Sequence, residues 1–212
     1  MKTYLINSAM ATALAFITLS PAPAFAGGGN VQPSTAKPKG YSLTVMAEKL
    51  ARFSTSGNSP LEYPHDTPFQ ILYSSETNVF HVKTGTHFFV PVSFVSDSAP
   101  ILGTFPTEAS TAAEVQAYFF DKAQLGVRDL AIEVDGKVTP IGRNYLAGPV
   151  STPNLPDGGS HFIQVGAFLT PFSKGTHTVT IRGVFDGDLL IPFFPPGTLP
   201  IVFAITYTVI VE

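Results

Sequence analysis

A chain of 212 residues with 44% hydrophobic side chains can bury a core without a metal or disulfide staple. Because it contains no cysteine, it has no thiol nucleophile, thiolate metal site or disulfide. A net charge of −3 with no run of Lys or Arg lacks the basic footprint that nucleic acid requires, and argues equally against an anionic membrane surface.

Residues 1–26 read as a signal peptide. Lys2 is the basic start, Ala9 to Leu19 the apolar core, Pro21 and Pro23 the break, and Ala24-Phe25-Ala26 the small-x-small cleavage pattern. The apolar run is too short to cross ~30 Å of hydrocarbon, so no transmembrane segment is expected after cleavage behind Ala26. The expected compartment is the periplasm or the exterior. Residues 27–40, GGGNVQPSTAKPKG, read as a flexible tether, and residues 41–212 as one domain.

Ser42 or Thr44 can cap a helix in which Leu43, Met46, Ala47, Leu50 and Phe53 form one apolar stripe, with Gly57 as its stop. From Phe69 the period becomes two. Residues 69–73, 78–83 and 86–95 read as strands, the third with Phe88, Val90, Val92 and Phe94 on one face. Pro91 predicts an edge position or a bulge there. A second helix is predicted over 111–125, with Thr111 and Glu114 as a capping box and Gly126 as its stop. Asp135-Gly136 between alternating runs predicts a hairpin within 129–142. Strands follow at 161–168, 176–185 and 199–212, the last with Ile201, Phe203, Ile205, Tyr207, Val209 and Val211 on one face. Eight or nine strands and two short helices predict a mostly β, antiparallel sandwich of immunoglobulin-like or jelly-roll-like type.

FSKGTHTVTIRG (172–183) and the terminal YTVIV (207–211) resemble the last two strands of immunoglobulin-like bacterial sandwich domains. Phe172, Gly175 and His177 fill the places of the corner that leads into the penultimate strand. The run from Pro68 to Gly183 is also similar to secreted bacterial proteins of unassigned function, through Gly85, Thr86, Phe88, Phe89, Val90, Pro91, Val134, Asp135 and Gly136. The resemblance implies a fold and a compartment and carries no catalytic residues.

Five histidines invite a metal reading. His81 and His87 flank Thr84-Gly85-Thr86 and could face each other across a hairpin, but a zinc or copper site needs a third ligand. Glu76 or Asp97 could supply one only through folding. No metal or other cofactor is therefore expected. His161 and His177 share parity with core residues of their strands. If those strands formed a hairpin, the two rings would lie about 20 Å apart. His177 instead reads as a corner residue bonded to backbone around 169–175, with Gly175, Asp135 and Gly136 as the other structural positions. Asp186-Gly187-Asp188 reads as a turn with solvated acids rather than a calcium site. Ser160 and His161 are adjacent, so strand geometry points them to opposite faces. His65 and Asp66 read as loop polars. Phe193 and Phe194, in the Pro-rich run 189–200, are the candidate binding residues, either plugging one end of the sandwich or meeting a partner.

The leading expectation is an exported, non-enzymatic binding or structural module whose partner is a protein or a small molecule or glycan, with oligomerisation open. The alternatives are a His- or metal-dependent hydrolase and a self-assembling surface protein. A cleft holding two of His65, His81, His87, Asp97 and Glu76 would favour an enzyme. An exposed aromatic patch would favour binding, and an open apolar edge strand assembly.

Overall fold

The structure is a computed structural model that describes residues 30–56, 61, 67–151 and 159–212. Residues 1–26, for which a signal peptide is expected, and Gly57, His65 and Asp66 lie outside the described residues. Among the described residues nine strands form two stacked sheets: β1 (Phe69–Ile71), β2 (Val79–Val82), β3 (His87–Ser96), β4 (Val127–Val134), β5 (Lys137–Pro140), β6 (Leu146–Ser151), β7 (His161–Leu169), β8 (Gly175–Phe185) and β9 (Ile201–Val211). One sheet has the order β1-β3-β7-β6 and the other β2-β9-β8-β4-β5. The fold is thus the expected sandwich, antiparallel along its long ladders, with β1 and β2 each pairing in parallel with a neighbour.

The first helix, α1 (Leu43–Ser56), forms where the apolar stripe predicts. The Ser42 hydroxyl caps it by accepting the Val45 N–H at 3.2 Å. Met46, Ala47, Leu50 and Ala51 are fully buried, and α1 packs on β6 and β7. The first sheet is therefore covered on both faces, by α1 and by the second sheet. Gln164 marks the α1 side, because its side chain donates to Leu43 O.

That two-sided burial and one bulge correct the reading of β3. Phe89 pairs with Phe168 before the register shift between Pro91 and Ser93, and Phe94 pairs with Gln164 after it. Paired residues share a face, so Phe89 and Phe94 both lie on the α1 side despite their opposite parity. Val90 and Val95, opposite Ala167 and Ile163, lie toward the second sheet. The extra residue of the bulge inverts the alternation, so Phe88, Val90, Val92 and Phe94 are not one face. On the α1 side Phe53 meets Tyr73 edge-on, and Tyr73, Phe94 and Phe162 stack in turn, with centroids 5.4–5.8 Å apart.

Two further expectations are corrected, and one strand is added. The second helix, α2 (Ala112–Phe120), has the predicted Thr111–Glu114 capping box but ends at Asp121 rather than Leu125. There the Asp121 carbonyl accepts from Gln124 and Gly126, folding residues 121–126 into a turn. Strand β6 carries no usable alternation, since a register shift between Ala147 and Val150 interrupts it. The tether reading fails over the described residues 30–34. Val31 forms a bridge to Leu169, Gln32 N–H donates to Phe168 O at 2.9 Å, and Tyr145 OH donates to Gln32 O at 3.0 Å. These groups satisfy backbone at the end of β7 that would otherwise lack partners.

Candidate functional site

Strands β2 and β3 belong to different sheets, so His81 and His87 do not face each other across a hairpin. The chain crosses between the sheets at Lys83–Thr86, a turn closed by Thr86 N–H donating to Lys83 O at 3.1 Å. This crossing opens one end of the sandwich as a cleft of about 430 Å³ lined by Lys39, Thr67, Gln70, His81, Lys83 and His87, among others, a size suited to a small ligand. Lys39 reaches it from the short 3-10 helix Pro38–Gly40. His87 packs edge-on against Phe69, with ring centroids 6.2 Å apart, and its Nδ1 is buried with no hydrogen-bond partner. Burial, and then the Lys39 charge, push the His87 pKa below that of an ordinary imidazole. Glu212 faces His81 at 3.5 Å, both side chains being largely exposed. Among the described residues no carboxylate forms an ion pair with Lys39 or Lys83. The cleft is thus a cationic, donor-rich pocket, without a contact between a nucleophile and a base.

A second polar cluster lies where β3 ends and β7 begins. Asp97 Oδ1 accepts the Ser160 and His161 amides at 2.6 and 2.7 Å. Asp97 Oδ2 lies 2.7 Å from His161 Nδ1, and Glu108 Oε2 lies 3.1 Å from His161 Nε2. Ser151 donates its hydroxyl to Glu108 Oε1. Burial works against the Asp97 charge, but the His161 amide and ring and the Ser160 amide outweigh it and hold that carboxyl below its usual range. The hydrogen bond that His161 donates to Asp97 raises the His161 pKa, burial opposes it, and the Glu108 charge adds to the rise. The expectation that Ser160 cannot meet His161 is corrected: Ser160 Oγ lies 3.0 Å from His161 Nδ1. Strand β7 starts only at His161, so Ser160 is not bound by strand parity.

The cluster was missed because 161–168 was paired in sequence with 176–183, whereas β7 and β8 lie in different sheets. The available signal was a pair of opposite polar groups, Asp97 and His161, at the ends of two apolar strands. Glu76 does not line the cleft. No group of three His, Asp or Glu residues arranged to hold a metal occurs among the described residues.

His177 sits at the opposite corner. Its Nδ1 lies 2.7 Å from Asp135 Oδ2, and its Nε2 2.9 Å from Ser173 O, within the loop where the backbone bond was expected. The ring stacks on Phe172, which stacks on Phe88. Asp135 and Gly136 form the tip of the β4–β5 hairpin with φ of 48° and 83°, the left-handed pair that a tight turn needs. Asp135 Oδ1 also accepts Thr178 N–H at 2.8 Å, tying this tip to the start of β8, where Gly175 is located.

The Pro-rich run is not extended. Residues Asp188–Phe193 form a 3-10 helix with Pro192 inside it. Phe193 is 37% exposed, while Phe194 packs against the core. Lys122 pairs with Asp186 at 2.8 Å and with Asp188 at 3.7 Å; Asp188 is exposed, as expected of a solvated turn acid, while Asp186 is partly buried. In the second sheet β2 covers only Thr208–Val211 of β9. Among the described residues, Ile201–Tyr207 therefore has a strand neighbour only in β8.

No protein-family model and no curated protein matches the chain. Among solved structures, the solution structure of Amebosin is 14% identical, covering 65% of this chain and 93% of that one, with a TM-score of 0.22. A likeness this slight carries no argument.

Proposed function

We propose that this protein is an exported sandwich-fold binding module that takes a small anionic ligand in the cleft between its sheets. The export rests on the Lys2, Ala9–Leu19 and Ala24-Phe25-Ala26 pattern. The ligand class rests on one observation: two lysines, Lys39 and Lys83, line a single concavity together with His81 and His87 in a chain that is acidic overall. Clefts lined by one sign of charge concentrate ligands of the opposite sign. The buried, unpartnered His87 Nδ1 supplies a hydrogen-bonding group that an anion can draw on. Two named histidines in one cleft meet the geometric condition set for an enzyme, but without a nucleophile–base contact the chemistry favours binding.

The test is calorimetric titration with inorganic phosphate and with succinate. Binding of at least one is expected, and the double variant Lys39→Ala/Lys83→Ala should weaken it at least tenfold. Absence of heat with both anions, or affinity unchanged in that variant, refutes the reading.

The open β9 edge favours a second reading, assembly with another copy of this chain. Its seven residues contain no Lys, Pro or other charge to block pairing. A mass matching the monomer by light scattering at high concentration would dismiss it.

A further inference from the structure

We propose that Ser151, His161 and Asp97 form a latent acyl-transfer site, held closed by the carboxylate of Glu108. This goes beyond the binding reading and involves different residues. Ser151 and His161 are directly opposite across the β6–β7 ladder, so their side chains leave the same face with Cβ atoms roughly 5 Å apart. Asp97 holds His161 at Nδ1, 2.7 Å away. That is the place of the orienting acid in a nucleophile–base–acid set, where the base acts through its other nitrogen. The remaining nitrogen, Nε2, points toward Glu108. Ser160 cannot be the nucleophile for this base, because its Oγ contacts Nδ1, on the side Asp97 already occupies.

Glu108 fills the gap between nucleophile and base. One of its oxygens takes the Ser151 hydroxyl and the other faces His161 Nε2. The carboxylic acid product of ester hydrolysis would contact the same two groups. With carboxylates on both sides, both ring nitrogens donate, and neither keeps a lone pair with which to act as a base. The blocking group can be displaced. Glu108 lies on the turn Thr107–Ser110, closed by Ser110 N–H donating to Thr107 O at 2.8 Å, and its side chain is about half exposed, at 52%. Moving it unpacks no core residue.

Once Glu108 is out and His161 has lost a proton, Ser151 Oγ attacks the carbonyl carbon of an ester while Nε2 takes the hydroxyl proton. The carbon–oxygen bond to the alcohol then breaks, and the alcohol leaves with that proton. Water repeats both steps on the acyl-Ser151, releasing the acid and restoring the hydroxyl. The substrate class is a carboxylic ester.

The experiment compares the parent, Glu108→Ala, Glu108→Ala/Ser151→Ala and Glu108→Ala/His161→Ala for reaction with a fluorophosphonate probe and for turnover of p-nitrophenyl acetate. Glu108→Ala should be labelled on the order of 100-fold faster than the parent, the scale of one general-base contribution. Peptide mapping should place the label on Ser151, and either second substitution should abolish the gain. Asp97→Asn in the Glu108→Ala background should shift the midpoint of the pH–rate profile to lower pH, as expected when a positioning acid is neutralised. Far-UV circular dichroism confirms folding of each variant. The proposal is overturned if folded Glu108→Ala is labelled no faster than the parent, or is labelled at another residue.

Discussion

Replacing His177 by Ala tests whether the corner holds the two sheets together. The ring makes two hydrogen bonds, at 2.7 Å to Asp135 and 2.9 Å to Ser173 O, and its side chain is only 14% exposed. Each such bond contributes about 0.5–1.5 kcal/mol net. The stack on Phe172, with centroids 4.9 Å apart, adds about 0.5–1.5 kcal/mol beyond its buried area. The expected loss is therefore about 1.5–4.5 kcal/mol, which for a domain of this size lowers Tm by roughly 3–18 °C. Asp135→Asn should cost less than about 1 kcal/mol, because Asn keeps an acceptor for Thr178 N–H and tolerates the left-handed backbone. Urea denaturation of both variants gives the numbers. A His177→Ala midpoint within about 0.5 kcal/mol of the parent would refute the corner's structural role. Anion binding should survive in the folded fraction, although corner and cleft share one end of the sandwich, where Thr176 and His81 both pair with Ile210.

Anion affinity should rise as pH falls from 8. His87 sits below its ordinary pKa in the free protein, so the ligand must draw a proton onto it, and the gain should level off below that depressed value. An affinity flat with pH in the parent, or unchanged in slope in His87→Gln, removes His87 from the site. His161, whose folded pKa is raised, adds stability that is complete below about pH 6.5 and lost as pH climbs through the raised value. The stability gap between parent and His161→Gln should therefore shrink on going from pH 6 to pH 9 in urea titrations. Asp97, whose folded pKa is lowered, should contribute stability above about pH 4 and lose it as pH falls further. At Gly187, an added Cβ would lie 2.0 Å from Gln124 O and 2.2 Å from Leu125 C, both backbone atoms. Gly187→Ala should therefore cost about 2 kcal/mol or more by thermal melting. Phe193→Ser should cost less than about 1 kcal/mol while Leu190→Ala costs about 2–4, since Leu190 is buried and Phe193 is not. Equal losses would place Phe193 in the core.

Strand positions were largely legible because alternation and turn chemistry are local. The Asp135-Gly136 hairpin and the Thr111–Glu114 cap needed only four or five residues to be recognised. What failed depended on non-local packing. The face of Phe94 was misassigned because one extra residue at Pro91–Ser93 inverts every side chain after it. The Asp97–His161–Glu108 cluster was invisible because it unites a strand end, a turn and a strand start from three separate stretches. His81 and His87 line one cleft, but not across the hairpin expected for them, since their strands belong to different sheets. A short turn carries the chain between sheets as readily as between neighbouring strands.

The burial of the first sheet on both faces, against the half-open second sheet, divides the molecule by how its backbone opens. Amides in the middle of β3 and β7 lie between two layers, and Val165 and Ala167 are fully buried. Their hydrogens should exchange only when the whole domain unfolds, with protection equal to the global free energy. The first half of β9 has a neighbour on one side only, and Val202 is 68% exposed. Its edge-facing amides should exchange by local fraying, orders of magnitude sooner. Chains exchanging from this end first would remain folded around α1 and β7 while the last strand is partly released.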